Sequence, residues 1–163
     1  MAQLHDQMLE TARFLLNAKS PHGAAGLRRA ASTAYYSLFL RLSALCARAI
    51  SRSRPKSPSY LTAFRILDHG STREALSKEG EFKSSIGEPF SRLQEARYWS
   101  DYNLASHPVI SEANAGKRFS RGEALELVDV AADAIRAIDS LGASARQRLV
   151  VLLVARLRRQ SRP

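Results

Sequence analysis

Hydrophobic residues recur every three or four positions in four long segments of the chain, a spacing that places them on one face of an α-helix. The second segment shows the pattern most clearly, with Leu38, Leu42 and Leu45 in one narrow stripe. No segment keeps the sustained alternation of a strand. The pattern predicts an all-α fold, an up-and-down four-helix bundle whose core joins the helices 3–18, 23–52, 86–105 and 121–141.

Two accessory helices are predicted between the second and third of these, over 59–68 and 72–78. Ser71 and Glu74 have the spacing of a capping box, which would open the second accessory helix. Ser120 and Glu123 have the same spacing, so a second capping box is expected at the start of the helix 121–141.

The connecting segments are rich in polar residues. The linker 51–58 contains two prolines and no apolar residue, so it is expected to be the most mobile internal segment. The stretch 80–87 is expected to be a loop, with Pro89 in the first turn of the helix that follows.

A final helix is predicted over 144–159, and its run 149–154 is apolar around the whole circumference. Such a run is too short to cross a bilayer, which takes about 20 residues. The helix is therefore expected to dock on the bundle or on a second subunit. The predicted organisation is a helical bundle over 1–142 and a C-terminal apolar helix with a basic tail over 143–163.

Composition excludes several classes of protein. A chain of 163 residues with 45% hydrophobic content is long enough to bury one core. The single cysteine, Cys46, rules out a disulfide framework within the chain, and its place beside an apolar stripe predicts a buried side chain. Asp6 and Glu10 interrupt the apolar positions of the first helix, so no signal-peptide core is expected and a cytoplasmic location is predicted. No metal or cofactor is predicted, because no histidine has a second histidine or a cysteine at ligand spacing.

The net charge of +10 is unevenly distributed. Residues 143–163 contain only basic charged residues, and a second basic run lies along and after the long second helix. Such patches attract polyanions, although solvated surfaces also carry them. The tail arginines would also suit the C-terminal end of the last helix dipole. The second run comprises Arg28, Arg29, Arg41, Arg48, Arg52, Arg54 and Lys56, and the tail arginines are Arg146, Arg148, Arg156, Arg158, Arg159 and Arg162.

Arg97 occupies a position that the helical pattern reserves for an apolar residue. At about 100° per residue it projects within roughly 20° of the centre of the stripe that Ile86, Phe90 and Leu93 begin and Leu104 continues. A guanidinium withdrawn from water is costly unless it is paired, and Asp101 follows one turn later. The pattern predicts a buried ion pair or a polar pocket between helices, with an ordinary exposed pair as the alternative.

Three aromatic residues, Tyr98, Trp99 and Tyr102, lie around the opposite side of the same helix. Aromatic groups bury large areas and rarely cluster in water. They are expected to meet a neighbouring helix, a second subunit or, as a third alternative, a nucleic-acid base. The apolar final helix adds further hydrophobic surface, and a homodimer with these three residues at its interface is predicted.

Two short segments of the sequence resemble motifs of the HEPN superfamily of small all-helical domains, and the resemblance covers roughly residues 5–141. The first segment matches at Ala34, Tyr35, Tyr36 and Phe39, and the second at Arg97, Asp101 and Tyr102. The resemblance implies a helical bundle, and it implies an association with a nucleotidyltransferase-like partner in a toxin–antitoxin or defence system.

In the ribonuclease members of this family an arginine is followed after four to six residues by a histidine, and the pair acts on RNA at a dimer interface. Here His107 follows Arg97 with nine residues between them, beyond the expected helix end at Pro108, and Leu40 stands where relatives often carry a histidine. The ribonuclease motif is therefore incomplete in this chain.

Three functions remain open from the sequence. The favoured one is a HEPN-like binding protein whose polar groove around Arg97, with Arg28 and Arg29, contacts RNA or a nucleotide. The second is a metal-independent ribonuclease, in which Arg97 would stabilise phosphate charge while the proton is managed by Asp101, Tyr102 or His107. The third is a protein-interaction domain without a ligand. The incomplete ribonuclease motif disfavours an enzyme, and no membrane association is predicted.

Overall fold

The computed structural model describes residues 3–17, 23–78, 80–103, 107 and 117–155. Helices account for 82% of these residues and none lies in a strand, which confirms the all-α prediction. A π-helical turn at Lys83–Gly87 leads directly into one of the helices. The α-helices are α1 (Leu4–Asn17), α2 (Gly23–Ser51), α3 (Pro58–Phe64), α4 (His69–Leu76), α5 (Glu88–Tyr102), α6 (Arg121–Ser140) and α7 (Ala143–Ala155).

Several predicted features lie outside the described residues. These are Leu104 of the third stripe, Pro108 and the tail arginines Arg156, Arg158, Arg159 and Arg162. Within the described ranges no helix is both long enough and apolar enough to cross a membrane.

The start of α4 differs from the prediction. Asp68 is its N-cap residue, and the Asp68 carboxylate accepts a hydrogen bond of 2.8 Å from the backbone N–H of Ser71. The capping box of Ser71 and Glu74 is therefore wrong, because Ser71 already lies inside the helix and is buried. The second predicted capping box is present at the start of α6. The Ser120 N–H donates to Oε2 of Glu123 at 2.8 Å, and the Glu123 N–H donates to Oγ of Ser120 at 3.2 Å.

The predicted loop 80–87 is also wrong over its second half, which forms the π-helical turn. Gly87 ends this turn, and a Cβ atom at Gly87 would lie 2.2 Å from the carbonyl oxygen of Leu76 at the end of α4. No side chain fits at that distance, so glycine is required for the backbone of the turn to pack against α4.

The chain forms two compact units, each assembled from separate stretches. Unit 1 comprises Met1–Leu38 and Ser91–Asp133. In it the parts of the predicted apolar stripes of α2, α5 and α6 that belong to this unit are largely buried, and an exposed ion pair of 2.7 Å joins Arg92 of α5 to Glu126 of α6. Its largest buried apolar side chains include Leu16, Tyr35, Leu38, Leu93, Trp99, Leu127 and Val128.

Unit 2 comprises Phe39–Phe90 and Ala134–Pro163. In it α3 packs on the C-terminal part of α2 through Tyr60, Ala63 and Ala47. The final helix α7 contacts α4 and buries Leu149 and Leu153, while other apolar residues of its run stay partly exposed.

Cys46, also in unit 2, is buried as predicted, and burial raises the pKa of its thiol to about 12. The thiol is therefore protonated near neutral pH and packs as a small apolar group.

Arg41 is a buried cation that the sequence pattern did not single out. Its side chain is 9% exposed, and its Nε donates to Oδ1 of Asp139 at 2.7 Å. The Nη2 group donates to the same oxygen, whereas the buried Nη1 group has no hydrogen-bond partner among the described residues. Leu38 and Leu45 lie three residues before and four residues after Arg41, so the signal that marks Arg97 was present here as well.

Candidate functional site

Five polar side chains of unit 1 meet where α2 contacts α5. On α2, Arg29, Ser32 and Tyr36 are three and four residues apart, so they share one face of the helix. On α5, Arg97 and Asp101 are one turn apart on the face that meets them. These five residues are called the Arg97 cluster below.

The predicted pairing of Arg97 with Asp101 is present in the structure. Nε of Arg97 lies 3.0 Å from Oδ2 of Asp101, and the two side chains are 18% and 15% exposed. The Nε–H group is not aligned for a hydrogen bond with that oxygen, so the contact is an attraction of charges. Since both groups are largely withdrawn from water, each depends on the other for charge compensation.

Two tyrosine hydroxyls fix the orientation of the Arg97 guanidinium. Its Nη2 group donates to the hydroxyl of Tyr36 at 2.9 Å and to that of Tyr102 at 3.4 Å. The guanidinium carbon lies 5.5 Å from the centre of the Tyr36 ring and 5.3 Å from that of Tyr102, within the range of a cation–π interaction. The Nη1 group forms no hydrogen bond or ion pair with any described residue.

The electrostatics keep this guanidinium charged. Burial by itself would lower the pKa of Arg97, but the hydrogen bond with Tyr36, together with the neighbouring Tyr36, Tyr102 and Asp101, raises it above its ordinary value. Behind the cluster, burial raises the pKa of the Tyr35 hydroxyl, although the charge of Arg97 opposes the shift. The Tyr35 hydroxyl is therefore un-ionised near neutral pH, and Arg97 stays charged.

Asp101 links the cation of α5 to α2. Its Oδ2 accepts a hydrogen bond of 3.2 Å from Oγ of Ser32, and its Oδ1 lies 3.6 Å from Nη1 of Arg29. The Arg29 side chain is 70% exposed, whereas Asp101 is largely covered. With two arginines and one carboxylate, the Arg97 cluster has a net positive charge, and its more exposed cation faces solvent.

Arg28, predicted to bind nucleic acid, is engaged within unit 1. Its Nη1 donates to the backbone carbonyl of Asn103 at the end of α5, and its guanidinium carbon lies 4.2 Å from the centre of the Trp99 ring. These contacts place Arg28 at the C-terminal end of α5, where a cation also favours the helix dipole.

The aromatic residues of α5 divide into one covered and two exposed side chains. Trp99 is 3% exposed, and the ring of Phe119 packs edge-on against it at 5.0 Å. Arg28 and Phe119 cover Trp99 from within the chain, so its side chain offers little surface to a second subunit, and the dimer interface stays a prediction. Tyr98 and Tyr102 are each 64% exposed, and their ring centres are 5.4 Å apart.

His107, predicted to manage a proton in a ribonuclease, belongs to the start of α6. Its Nε2 donates to Oε1 of Glu123 at 2.6 Å, and its ring lies 6.5 Å from that of Phe119. The hydrogen bond with His107, and after it that with Ser120, lowers the pKa of Glu123 to about 2. The Glu123 carboxylate is therefore ionised near neutral pH. It binds Nε2 of His107 as well as the Ser120 N–H of the capping box.

Sequence reasoning missed Ser32 and Tyr36 as members of the cluster. Tyr36 lies on the side of α2 that meets Arg97. The spacing of Arg29, Ser32 and Tyr36 was a usable signal, since it marks a polar face running along an otherwise apolar helix. In the described part of the chain no group of three histidine, cysteine or acidic side chains is arranged to hold a metal ion.

Comparison of the chain with models of protein families, with curated proteins and with solved structures gives no match. The HEPN resemblance of the two motifs therefore stays a prediction.

Proposed function

We propose that this chain is a HEPN-like helical-bundle protein that binds a phosphate group of RNA or of a nucleotide at the Arg97 cluster. The observation that carries the proposal is an oriented, charged Arg97 whose Nη1 group has no hydrogen-bond partner among the described residues, with the exposed Arg29 beside the same carboxylate. A guanidinium N–H is a charged donor, and hydrogen bonds from a charged donor to phosphate oxygens are shorter and stronger than those between neutral groups.

The two arginines of the cluster have different roles in this proposal. Arg97 is held by Tyr36, Tyr102 and Asp101, so little conformational entropy is lost when a ligand binds to it. Arg29 is largely exposed and attracts the anion from solvent. Asp101 orients both cations, and the net positive charge of the cluster leaves it attractive to a phosphate.

A titration of fluorescein-labelled single-stranded RNA, followed by anisotropy, tests the site. Arg97→Met is expected to weaken binding by at least about tenfold, because hydrogen bonds to a charged group contribute about 1.5–3 kcal/mol. Arg92→Met is the matched control, since Arg92 is an exposed arginine of the same helix whose ion-pair partner is Glu126. The control is expected to bind within about twofold of the unmodified chain; equal losses in both variants would remove Arg97 from the site.

The same samples distinguish the remaining alternatives. RNA cleavage that persists with a chelator and disappears in Arg97→Met would support the metal-independent ribonuclease. Absence of both binding and cleavage would leave a protein-interaction domain. We expect binding without cleavage, because the Nε2 nitrogen of His107 is occupied by Glu123 and the Asp101 carboxylate is paired with Arg97.

The proposal includes self-association through Tyr98 and Tyr102, the two α5 aromatic residues that stay exposed. Sedimentation at tens of micromolar is expected to show a homodimer, and Tyr98→Ser is expected to shift it towards monomer. Tyr98 is the better choice for substitution, since Tyr102 also contacts Arg97. A monomer at all concentrations would contradict this part of the proposal. A nucleotidyltransferase-like protein partner is proposed on the HEPN resemblance alone.

A further inference from the structure

Unit 2 contains a second concentration of positive charge, separate from the Arg97 cluster. No acidic residue occurs between Glu10 and Asp68 in the sequence. The end of α2, the following turn and α3 fall within this acid-free stretch. Residues 48–65 are called the basic turn below, and its exposed cations are Arg48, Arg52, Arg54, Lys56 and Arg65.

The charges of the basic turn are not compensated within the described chain. None of its five cationic side chains forms an ion pair or hydrogen bond with a described residue. Other arginines of unit 2 are paired: Arg41 with Asp139, and Arg148 with Glu81 at 2.8 Å. These carboxylates of unit 2 pair with arginines outside the basic turn, so the surface of the turn stays positive.

Hydrogen bonds between serines hold the turn in one conformation. Ser51 Oγ accepts from the Ser53 N–H at 3.3 Å, and Ser59 Oγ donates to Ser53 Oγ at 2.9 Å. The Ser57 N–H donates to the Arg54 carbonyl at 3.1 Å. Serines 51, 53 and 57 are half-buried while residues 52, 54 and 56 are exposed, so the alternation turns serines inward and cations outward. The linker predicted to be mobile is therefore a hydrogen-bonded turn.

The backbone of this turn adopts a costly conformation that keeps the cations outside. Arg52 and Lys56 have φ angles of 50° and 72°, in the left-handed region that non-glycine residues rarely occupy. The packing of Tyr60 and Ala63 on Ala47 fixes both ends of the turn. A cationic surface organised before binding loses less entropy when it meets a partner.

We propose that the basic turn binds the phosphate backbone of a nucleic-acid duplex, RNA or DNA, without sequence specificity. Arginine and lysine side chains are common phosphate contacts. The aromatic residues of the turn do not offer a base-stacking surface, because Tyr60 is 8% exposed and Phe64 packs beside it. A duplex keeps its bases stacked internally and carries its phosphates on the outside, which suits such a surface better than a single strand whose bases need stacking partners.

The test measures the salt dependence of binding to labelled 20-base-pair RNA and DNA duplexes between 50 and 200 mM salt, with the full chain. In Arg52→Gln/Arg54→Gln/Lys56→Gln the plot of log affinity against log salt should become less steep by about 2.7, since each lost phosphate contact removes about 0.9. The control, Arg13→Gln/Lys78→Gln/Arg118→Gln, removes three exposed charges outside the basic turn and should leave the slope nearly unchanged. A duplex RNA or DNA preference would identify the source of the backbone.

Three results would overturn the proposal. The first is no duplex binding at 50 mM salt, and the second is an equal loss of slope in both triple variants. The third is binding to anionic phosphatidylglycerol vesicles that depends on the basic turn while duplex binding does not, because Ile50 and Leu61 are also exposed there. Circular dichroism melting checks that both variants fold. Duplex binding that survives Arg97→Met separates this surface from the Arg97 cluster.

Discussion

Two guanidinium groups of this protein are held away from water, and each has one carboxylate to compensate its charge. The partner of Arg97 is Asp101, four residues later on the same helix, whereas the partner of Arg41 is Asp139 on α6. Asp139 is about half exposed while Arg41 is almost fully covered. The cost of breaking that second pair should therefore depend on which partner is removed.

Asp139→Ala is expected to be more destabilising than Arg41→Met. The first leaves a buried guanidinium without a countercharge, at a cost of about 2–3 kcal/mol. The second leaves a carboxylate that can be hydrated and replaces the arginine with an apolar side chain, at a cost of less than about 1 kcal/mol. Urea unfolding of both variants measures the difference in stability. Equal losses would argue against a buried Arg41 that depends on Asp139 for its countercharge.

Glu123 gives a prediction about pH. The hydrogen bonds with His107 and then Ser120 lower the pKa of its carboxyl from 4.5 to about 2. An acid whose pKa is lowered on folding stabilises the fold at pH values above its unfolded-state pKa. This stabilisation is lost as pH falls through the folded-state pKa. The difference in melting temperature between the unmodified chain and Glu123→Gln should therefore be largest above about pH 5 and shrink towards pH 2. A constant difference across this range would contradict it.

At this scale, the sequence identified charged residues within apolar stripes but not their surroundings. The i,i+4 spacing was sufficient to pair Arg97 with Asp101, because both lie on one helix. The cover over Trp99 comes from Arg28 and Phe119, which are distant in sequence. Periodicity along one helix contains no information on such contacts, so it could not predict that Trp99 is covered within the chain.

Helix positions followed from periodicity, and their ends depended on local chemistry. The long helices α2 and α6 end within one residue of their predicted ends, and the capping box of Ser120 and Glu123 was confirmed. The start of α4 was predicted wrongly because Ser71 and Glu74 also fit the capping pattern. The π-helical turn was missed because its packing on α4 is a tertiary contact at Gly87.

The cap of α4 provides a test at the scale of one element. Asp68→Ala should destabilise the protein by about 1 kcal/mol, because it leaves the Ser71 N–H without its acceptor. Glu74→Ala should have a smaller effect, because Asp68 and not Glu74 caps the helix. Thermal unfolding compares the two variants, and a larger loss in Glu74→Ala would restore the capping box.

For the whole molecule, the distribution of charge carries the functional account. The net charge of +10 includes arginines that stabilise helices, arginines paired with carboxylates and cations that remain uncompensated. Composition alone could not separate these groups. The structure assigns Arg28 and Arg41 to internal contacts, and it leaves Arg29 exposed beside the oriented Arg97.

The most direct test of the central claim is a spectrum of the arginine Nε–H groups of the ¹⁵N-labelled protein, titrated with a short 5′-phosphorylated single-stranded RNA at 150 mM salt. Spectra of Arg97→Lys, Arg29→Lys and Arg92→Lys would assign the three resonances. Phosphate binding at the cluster predicts saturable shifts of the Arg97 and Arg29 resonances, while Arg92 stays unchanged. An Arg97 resonance that does not move when the RNA is fully bound would contradict the account.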